Sequence, residues 1–232
     1  LGTEILWTAI RAALVISPTI AVPFTLYMQL QSRRLAISNE KLVVLNEQLA
    51  AERSAAEQLA RLDCMTGLLS RTHFVKSVTE HLDSAESEGA LLMLDADRFK
   101  SVNDTFGHDA GDRVVQTIAE LMKNTSPKQS IAGRLGGEEF ALFLTHTEVD
   151  SMEQVAEALR QAVENTSFKS ADGDDFNVTV SVGAALTSEA ETAEGLLKAA
   201  DLRLYAAKHR GRNQVVTPND PLDKLQKRLS AA

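Results

Sequence analysis

Cysteine is nearly absent: Cys64 is the single one in 232 residues, which excludes an internal disulfide and a thiolate metal cage and suits a reducing compartment for the globular part. An excess of positive charge is missing as well. With 24 Lys and Arg against 32 Asp and Glu the formal net charge is −8. No broad basic surface is offered to a nucleic-acid polymer, and a polyphosphate ligand needs metal ions or locally clustered Lys and Arg to approach. The sequence opens on Leu1 rather than methionine, so a fragment or processed form is expected, with further sequence upstream. What is present, 44% hydrophobic and 24% charged residues, is the composition of a globular protein: one domain of ordinary size plus appendages.

Charge is missing from Ala12 to Leu30, a run of 19 residues rich in Leu, Ile, Val and Ala that Arg33-Arg34 follow closely. That length just spans a bilayer, and the positive-inside tendency sets the basic pair and everything after it on the cytoplasmic side. Residues 1–31 are thus expected to be the end of a transmembrane segment, anchoring the chain in an inner membrane. Arg11, Pro18 and Pro23 weigh for the alternative, a kinked or shortened helix buried against sequence upstream. No small-residue cleavage site is evident, which argues against a signal peptide. Proline and glycine are missing from residues 35–62, where Leu35, Leu42, Leu49 and Ala56 recur in one heptad register and Leu45 and Leu59 in the other. The linker 32–62 reads as a long helix pairing as a coiled coil, made marginal and adjustable by Ser38 and Glu52 in the second register. A lone amphipathic helix packed on its own domain is the alternative.

From residue 63 to about 217 helical and strand periods alternate, the signature of the α/β class. Ala90–Leu94 suits a buried strand, and strands are expected at Ile131–Arg134 and Phe140–Thr145. Arg113–Lys123 and a stretch through Met152, Val155, Ala156, Leu159 and Val163 read as amphipathic helices. From Phe176 to Leu186 apolar residues alternate with Asn177, Thr179 and Ser181, predicting one continuous strand. A final helix runs through Leu196, Leu197, Ala200, Leu204 and Ala207, then a short strand at Gln214–Val216. The polar tail 218–232 is expected to be loosely attached.

Two clusters carry chemistry. Arg134-Leu135-Gly136-Gly137-Glu138-Glu139-Phe140 joins two expected strands; glycines that allow positive φ predict a tight hairpin against which a flat ligand lies. Neighbouring strand residues point to opposite faces, so Glu138 and Glu139 either line two surfaces or grip one metal around the turn. The second cluster, Asp95-Ala96-Asp97-Arg98-Phe99-Lys100 followed by Asn103, Gly107, His108, Gly111 and Asp112, follows the buried strand. Ligands of open α/β sheets bind at the carboxyl ends of strands, so Asp95 is placed to reach a metal there, or else caps a helix. Asn103 and Asp112 offer an amide and a carboxylate that suit a purine edge, the carboxylate matching guanine's N1 and N2 donors; singly each reads as a turn or cap. Lys100 either meets a phosphate or lies on the surface.

On these motifs the chain resembles the GGDEF-domain diguanylate cyclases of bacteria. Four blocks carry the likeness in order: Asp63-Cys64-Met65-Thr66-Gly67-Leu68-Leu69-Ser70-Arg71; Asp95 to Asp112; Arg134 to Phe140; and Ala200-Asp201-Leu202-Arg203-Leu204-Tyr205-Ala206-Ala207-Lys208 with Gly211-Arg212-Asn213. Four ordered blocks are far more specific than any one. The resemblance implies a central mixed β-sheet flanked by helices, of the nucleotidyl-cyclase type, preceded by a long helix. It implies GTP as substrate, its base near Asn103 and Asp112, with His108 lining the pocket or orienting that loop. Its phosphates would lie over Phe99, Lys100 and Gly136, met by Lys208 and Arg212. Two Mg²⁺ or Mn²⁺ ions per half-site would be held by Asp95, the Ala96 carbonyl, Glu138 and Glu139.

The implied reaction joins two GTP into cyclic di-GMP across a homodimer, releasing two pyrophosphates, with Glu138 assisting deprotonation or acting as a metal ligand alone. A sensor or membrane segment upstream would control the pairing. Where the family often carries an inhibitory Arg-x-x-Asp, this chain reads Pro127-Lys128-Gln129-Ser130, so that product-inhibition site is expected to be absent or weak. Met65, Ser70 and Leu135 also depart from the family pattern without removing a candidate catalytic group. Two other readings share these residues: a catalytically silent GTP- or cyclic di-GMP-binding module, and a cyclase acting within one purine nucleotide.

Overall fold

The computed structural model describes residues 61–84, 88–170 and 173–220, together with 26–43, 45–48 and positions 4, 7, 8, 23 and 24. The chain divides into two compact units, Leu1–Leu59 and Ala60–Ala232. In the first, residues 26–43 and 45–48 are helical and are labelled α1. Its Leu35 and Leu42 of one heptad register and Leu45 of the other are all more than half exposed. Leu49, Ala56 and Leu59, and most of the uncharged run 12–30, lie outside the described residues. Among the described residues no helix is long and apolar enough to cross a membrane.

The second unit is a mixed sheet with helices on both faces. Its strands are β1 (Leu69–Ser70), β2 (Gly89–Ala96), β3 (Ile131–Arg134), β4 (Glu139–Thr145), β7 (Val180–Leu186) and β8 (Val215–Val216), in the order β1-β3-β4-β2-β7-β8. β2 runs antiparallel to both β4 and β7, while β1 pairs parallel with β3 and β8 parallel with β7. A separate hairpin joins β5 (Ser167–Lys169) to β6 (Asp175–Asn177). The helices are α2 (Arg71–Leu82), α3 (Phe99–Phe106), α4 (His108–Thr125), α5 (Val149–Glu164) and α6 (Ala193–His209).

Because side chains alternate along a strand, β2 divides its residues between two cores. Leu92, Leu94 and Ala96 pack with Val114, Ile118 and Met122 of α4 and Met152, Ala156 and Leu159 of α5. Leu91 and Met93 pack with Phe74 and Val78 of α2 and Leu196, Ala200 and Leu204 of α6. All eight residues of β2 are buried, as expected of a central strand covered on both faces. Gly183 of β7 lets α6 come close: a Cβ there would collide with the backbone of Ala200 and Leu204.

The structure departs from the sequence expectations at several places. Residues 176–186 are not one strand; β6 ends at Asn177 and β7 begins at Val180, in different sheets. The alternation also stops reporting exposure, because Ser181 is fully buried beneath α6 rather than facing water. Alternation marks a half-covered sheet, and β7 is covered on both faces. The helix expected at Arg113–Lys123 begins at His108; of the tail, Asp220 pairs with Arg210 and Asn219 donates to Glu153 at 2.8 Å, while residues 221–232 lie outside the described residues.

Candidate active site

The register of β2 against β4 sets Asp95 directly opposite Glu139, and against β7 it sets Asp95 opposite Ser181. Opposed residues share a face, so both carboxylates stand on the α6 side of the sheet, where Lys208, in the last turn of α6, reaches Asp95. Its Nζ lies 2.7 Å from Asp95 Oδ2. Burial is the main influence on Asp95 and pushes its carboxyl up to about 6; Lys208 pulls it down, and the charges of Glu138 and Glu139 add to the rise. Asp95 therefore lies inside β2 and caps no helix; the N-cap of α3 is Arg98.

Glu138 precedes β4, and its carbonyl accepts from the Ala96 amide at 3.3 Å. The loop between β3 and β4 is four residues, 135–138, rather than a tight two-residue hairpin. Neither Gly136 nor Gly137 takes a positive φ. The Glu139 carbonyl instead gathers the Leu135 amide at 2.9 Å and the Gly136 amide at 3.4 Å, which needs no left-handed residue. What glycine supplies here is bare backbone: nothing stands within 4 Å of a Cβ built on Gly137. Arg134 braces the loop, its Nη2 donating to the Gly137 carbonyl at 2.7 Å and its Nη1 to Asp63 Oδ1 at 3.1 Å. Burial raises the Asp63 carboxyl, but hydrogen bonds from Thr66 and Arg134 outweigh it and hold the group below its ordinary range. The first block thus serves the third, a link invisible in sequence spacing.

Asn103 lies within α3 and Asp112 within α4, neither in a turn. The two helices touch so closely that a Cβ on Gly111 would land on Asn103 Oδ1, which holds the Asn103 amide next to the residue that precedes Asp112. Phe99 opens α3, half-buried, while Lys100 and His108 are exposed. Arg212 follows α6 with φ 68° and is exposed. The structure thus joins Asp95 to Lys208 directly, sets Glu139 opposite Asp95, and brings Asn103 against Gly111, the residue before Asp112.

Sequence reasoning gave Asp97 no role. It is buried, with Oδ2 accepting from Thr179 Oγ1 at 2.7 Å and the Asn213 amide at 3.0 Å, and Oδ1 accepting from Ser181 Oγ at 2.7 Å. Asn213 is gripped from its other side by Arg160 and Glu164 of α5, each at 2.6 Å. Asp97 therefore anchors the loop that carries Arg212. The polar alternation of Thr179 and Ser181 marked two of its donors; only the fold pairs them with an acid more than 80 residues away.

Among the described residues no three His, Cys, Asp or Glu side chains converge into a ready cation site. The donors nonetheless suit a hard cation: two facing carboxylates, all-oxygen ligands, and an ammonium on Asp95 where positive charge is required.

Residues 60–214 match the family described as diguanylate cyclase, GGDEF domain. The chain is 36% identical over 183 residues to diguanylate cyclase A of Treponema denticola, an alignment covering 76% of this chain and 49% of that protein. To diguanylate cyclase DosC of Escherichia coli it is 34% identical over 158 residues, covering 66% of this chain and 34% of that one. It spans half or less of the length of these relatives. The GGDEF domain of DgcB from Caulobacter crescentus, solved in complex with c-di-GMP, superposes with a TM-score of 0.66 at 31% identity, covering 69% of this chain and 97% of that one. Diguanylate cyclase SiaD of Pseudomonas aeruginosa, solved with its activator SiaC, gives 0.65 at 29% identity over 93% of this chain and 86% of that one. On this match and this fold, the chain belongs to the GGDEF-domain family of diguanylate cyclases.

Proposed function

We infer that the chain is an active diguanylate cyclase, condensing two GTP into cyclic di-GMP and two pyrophosphates across a homodimer. The observation that carries this is the Asp95–Glu139 pair, opposed across β2 and β4 and bridged to α6 by Lys208 at 2.7 Å from Asp95. The mutual repulsion of Asp95, Glu138 and Glu139, which adds to the rise of the Asp95 carboxyl, is relieved by a divalent cation and so favours its uptake. Asp95, the Ala96 carbonyl, Glu138 and Glu139 would hold two Mg²⁺ or Mn²⁺ ions, which supply neutralisation of the phosphoryl oxygens and acidify the attacking hydroxyl.

The rest falls to this chain's residues. Asn103 and Asp112 bind guanine between α3 and α4, the carboxylate accepting from N1 and N2 and the amide serving O6 or N3. The backbone around Phe99, Lys100 and Gly136 bears the phosphates, and Lys208 and Arg212 neutralise their outer charge. Each step forms one bond from a 3′ oxygen to an α-phosphorus and breaks the bond from that phosphorus to the β-phosphate, expelling pyrophosphate. The hydroxyl proton passes to Glu138 or to water. One domain holds one GTP, so two must face each other to align attack, and the exposed heptad leucines of α1 provide a pairing surface. The sequence at 127–130 supports weak feedback by product, and the uncharged run 12–30 supports an inner-membrane anchor carrying signals from an upstream sensor to a cytoplasmic domain.

The test is identification of the product from GTP and Mg²⁺ at several protein concentrations. Cyclic di-GMP that rises more than linearly with protein, and vanishes in Asp95→Ala and Glu139→Ala, supports the reading. A folded dimer that binds GTP and yields none overturns it, and cyclic GMP as product would redirect it to single-nucleotide cyclisation.

A further inference from the structure

The Asp97–Asn213 clasp lines one side of a cavity of about 370 Å³, and of its walls the reaction above uses Arg212 alone. Arg98, at the corner between β2 and α3, and Arg212, after α6, both line it. Both carry left-handed backbone, φ 56° and 68°, which in residues other than glycine costs about 1 kcal/mol or more and persists where neighbouring structure imposes it, often at ligand clamps. Here the imposition is visible: Asp97, the residue before Arg98, accepts from the amide of Asn213, the residue after Arg212, at 3.0 Å. Among the described residues neither guanidinium has an ion-pair or hydrogen-bond partner.

Uncharged donors stand near them, the hydroxyls of Ser101 and Thr105 and the amide of Asn177. Asp97 is the one carboxylate of the lining, and both its oxygens are already bonded to Thr179, Ser181 and Asn213. The remaining wall is apolar: Val102, Val178, and the rings of Phe106 and Phe176, stacked with centroids 4.3 Å apart and 14° between planes. Unpaired guanidiniums match phosphate oxygens bidentately. An apolar wall with stacked rings suits a flat ring, and the volume lies within the roughly 300–1,000 Å³ of small-molecule sites.

We propose that this cavity binds a phosphate ester of a planar ring, its phosphate between Arg98 and Arg212 and its ring along Phe106 and Phe176. Occupancy inhibits turnover by engaging Arg212, and this second half alone rests on the role given to Arg212 in the cyclase reading. It gives the chain a route to small-molecule control that does not involve residues 127–130.

A nucleotide and a simple aryl phosphate both present this chemistry, and calorimetric titration of the whole chain with GMP and with phenyl phosphate separates them. EDTA is included, because without divalent metal the carboxylates at Asp95, Glu138 and Glu139 repel phosphates from the catalytic site, whereas the arginine cavity needs no metal. Both probes are expected to bind; Arg98→Ala weakens them at least tenfold, Thr105→Trp, at an exposed position, blocks them by filling the cavity, and Asp112→Ala leaves phenyl phosphate binding unchanged. Tighter binding of GMP identifies a nucleotide as the ligand, and equal binding an aryl phosphate of any origin. In turnover assays phenyl phosphate should inhibit the wild type but not Arg98→Ala, whose uninhibited rate should match the wild type. No binding to the wild type, or binding indifferent to both cavity variants, overturns the proposal. Binding as expected in a chain that makes no cyclic di-GMP overturns the cyclase reading and leaves the cavity standing.

Discussion

Asp97→Ala offers the sharpest test of how the fold positions Arg212. The carboxylate accepts three hydrogen bonds, at 2.7, 2.7 and 3.0 Å, and a buried donor left unmet costs about 1–3 kcal/mol. The hydroxyls of Thr179 and Ser181 can rotate toward other acceptors; the Asn213 amide cannot. Loss of the clasp also frees Arg212 and Asn213 from left-handed backbone, φ 68° and 47°, which returns about 1–2 kcal/mol in total. Two lost hydroxyl bonds at about 1 kcal/mol each and an orphaned amide at about 2 kcal/mol, less that return, leave a net loss of about 2–3 kcal/mol, a large share of the roughly 5–15 kcal/mol of a typical domain. It should appear in equilibrium urea unfolding as a midpoint lower by about 1–2 M at unchanged slope. Because the loop then drifts, KM for GTP should rise by about tenfold or more in protein that is still folded. Asp97→Asn is the control. Its amide oxygen keeps Thr179 and Asn213 while its nitrogen donates to Ser181 Oγ, so it should cost only about 1 kcal/mol, for the lost charge assistance. A midpoint within about 0.3 M of wild type for Asp97→Ala, or equal damage from both variants, would refute the clasp.

Asp95 should make cation binding depend on pH. Its carboxyl, near 3.8 in the unfolded chain, rises to about 6 in the fold; between those values the folded chain alone holds the proton, so this group's contribution to stability is greatest below about 3.8 and is lost as pH rises through 6. Mn²⁺ must displace that proton, so its affinity should climb up to about tenfold per pH unit toward 6 and level off above; a flat profile by calorimetry or electron paramagnetic resonance would contradict this. Gly111→Ala sets a helix gain of about 1 kcal/mol against a collision with the movable Asn103 side chain. Stability should stay within about 1 kcal/mol while preference for GTP over ATP falls, and unchanged selectivity would separate Asn103 from base recognition. Glu189→Ala strands the fully buried Arg203, whose guanidinium otherwise meets Glu189 at 2.6 Å and the Ala184 carbonyl at 2.8 Å. It should cost about 3–5 kcal/mol, most of it recovered in Arg203→Leu with Glu189→Leu; a loss that the pair of substitutions does not recover would mean that the cost is not an orphaned charge.

By itself the sequence determined the α/β class and most of the long elements, and it named the candidate residues of the site. Periodicity is a local property, so the helices through Val114–Met122 and Met152–Val163 and the strands at 90–94 and 131–134 were legible, as were blocks such as Gly136-Gly137-Glu138-Glu139. The short strand at 215–216 was legible too, but α3 with eight residues and β1 with two were not, because they owe their existence to neighbours rather than to pattern. The tertiary structure alone decided which residues meet. Antiparallel register brought Asp95 to Glu139; coverage of β7 on both faces turned Ser181 from a solvent residue into a buried donor to Asp97; and Arg134 tied the glycine loop back to Asp63. In the same way Arg98 and Arg212, more than a hundred residues apart in sequence, came to line one cavity. Such pairings rest on long-range hydrogen bonds and packing whose partners no window of sequence contains, so the chain names its chemical groups while the fold decides which of them act together.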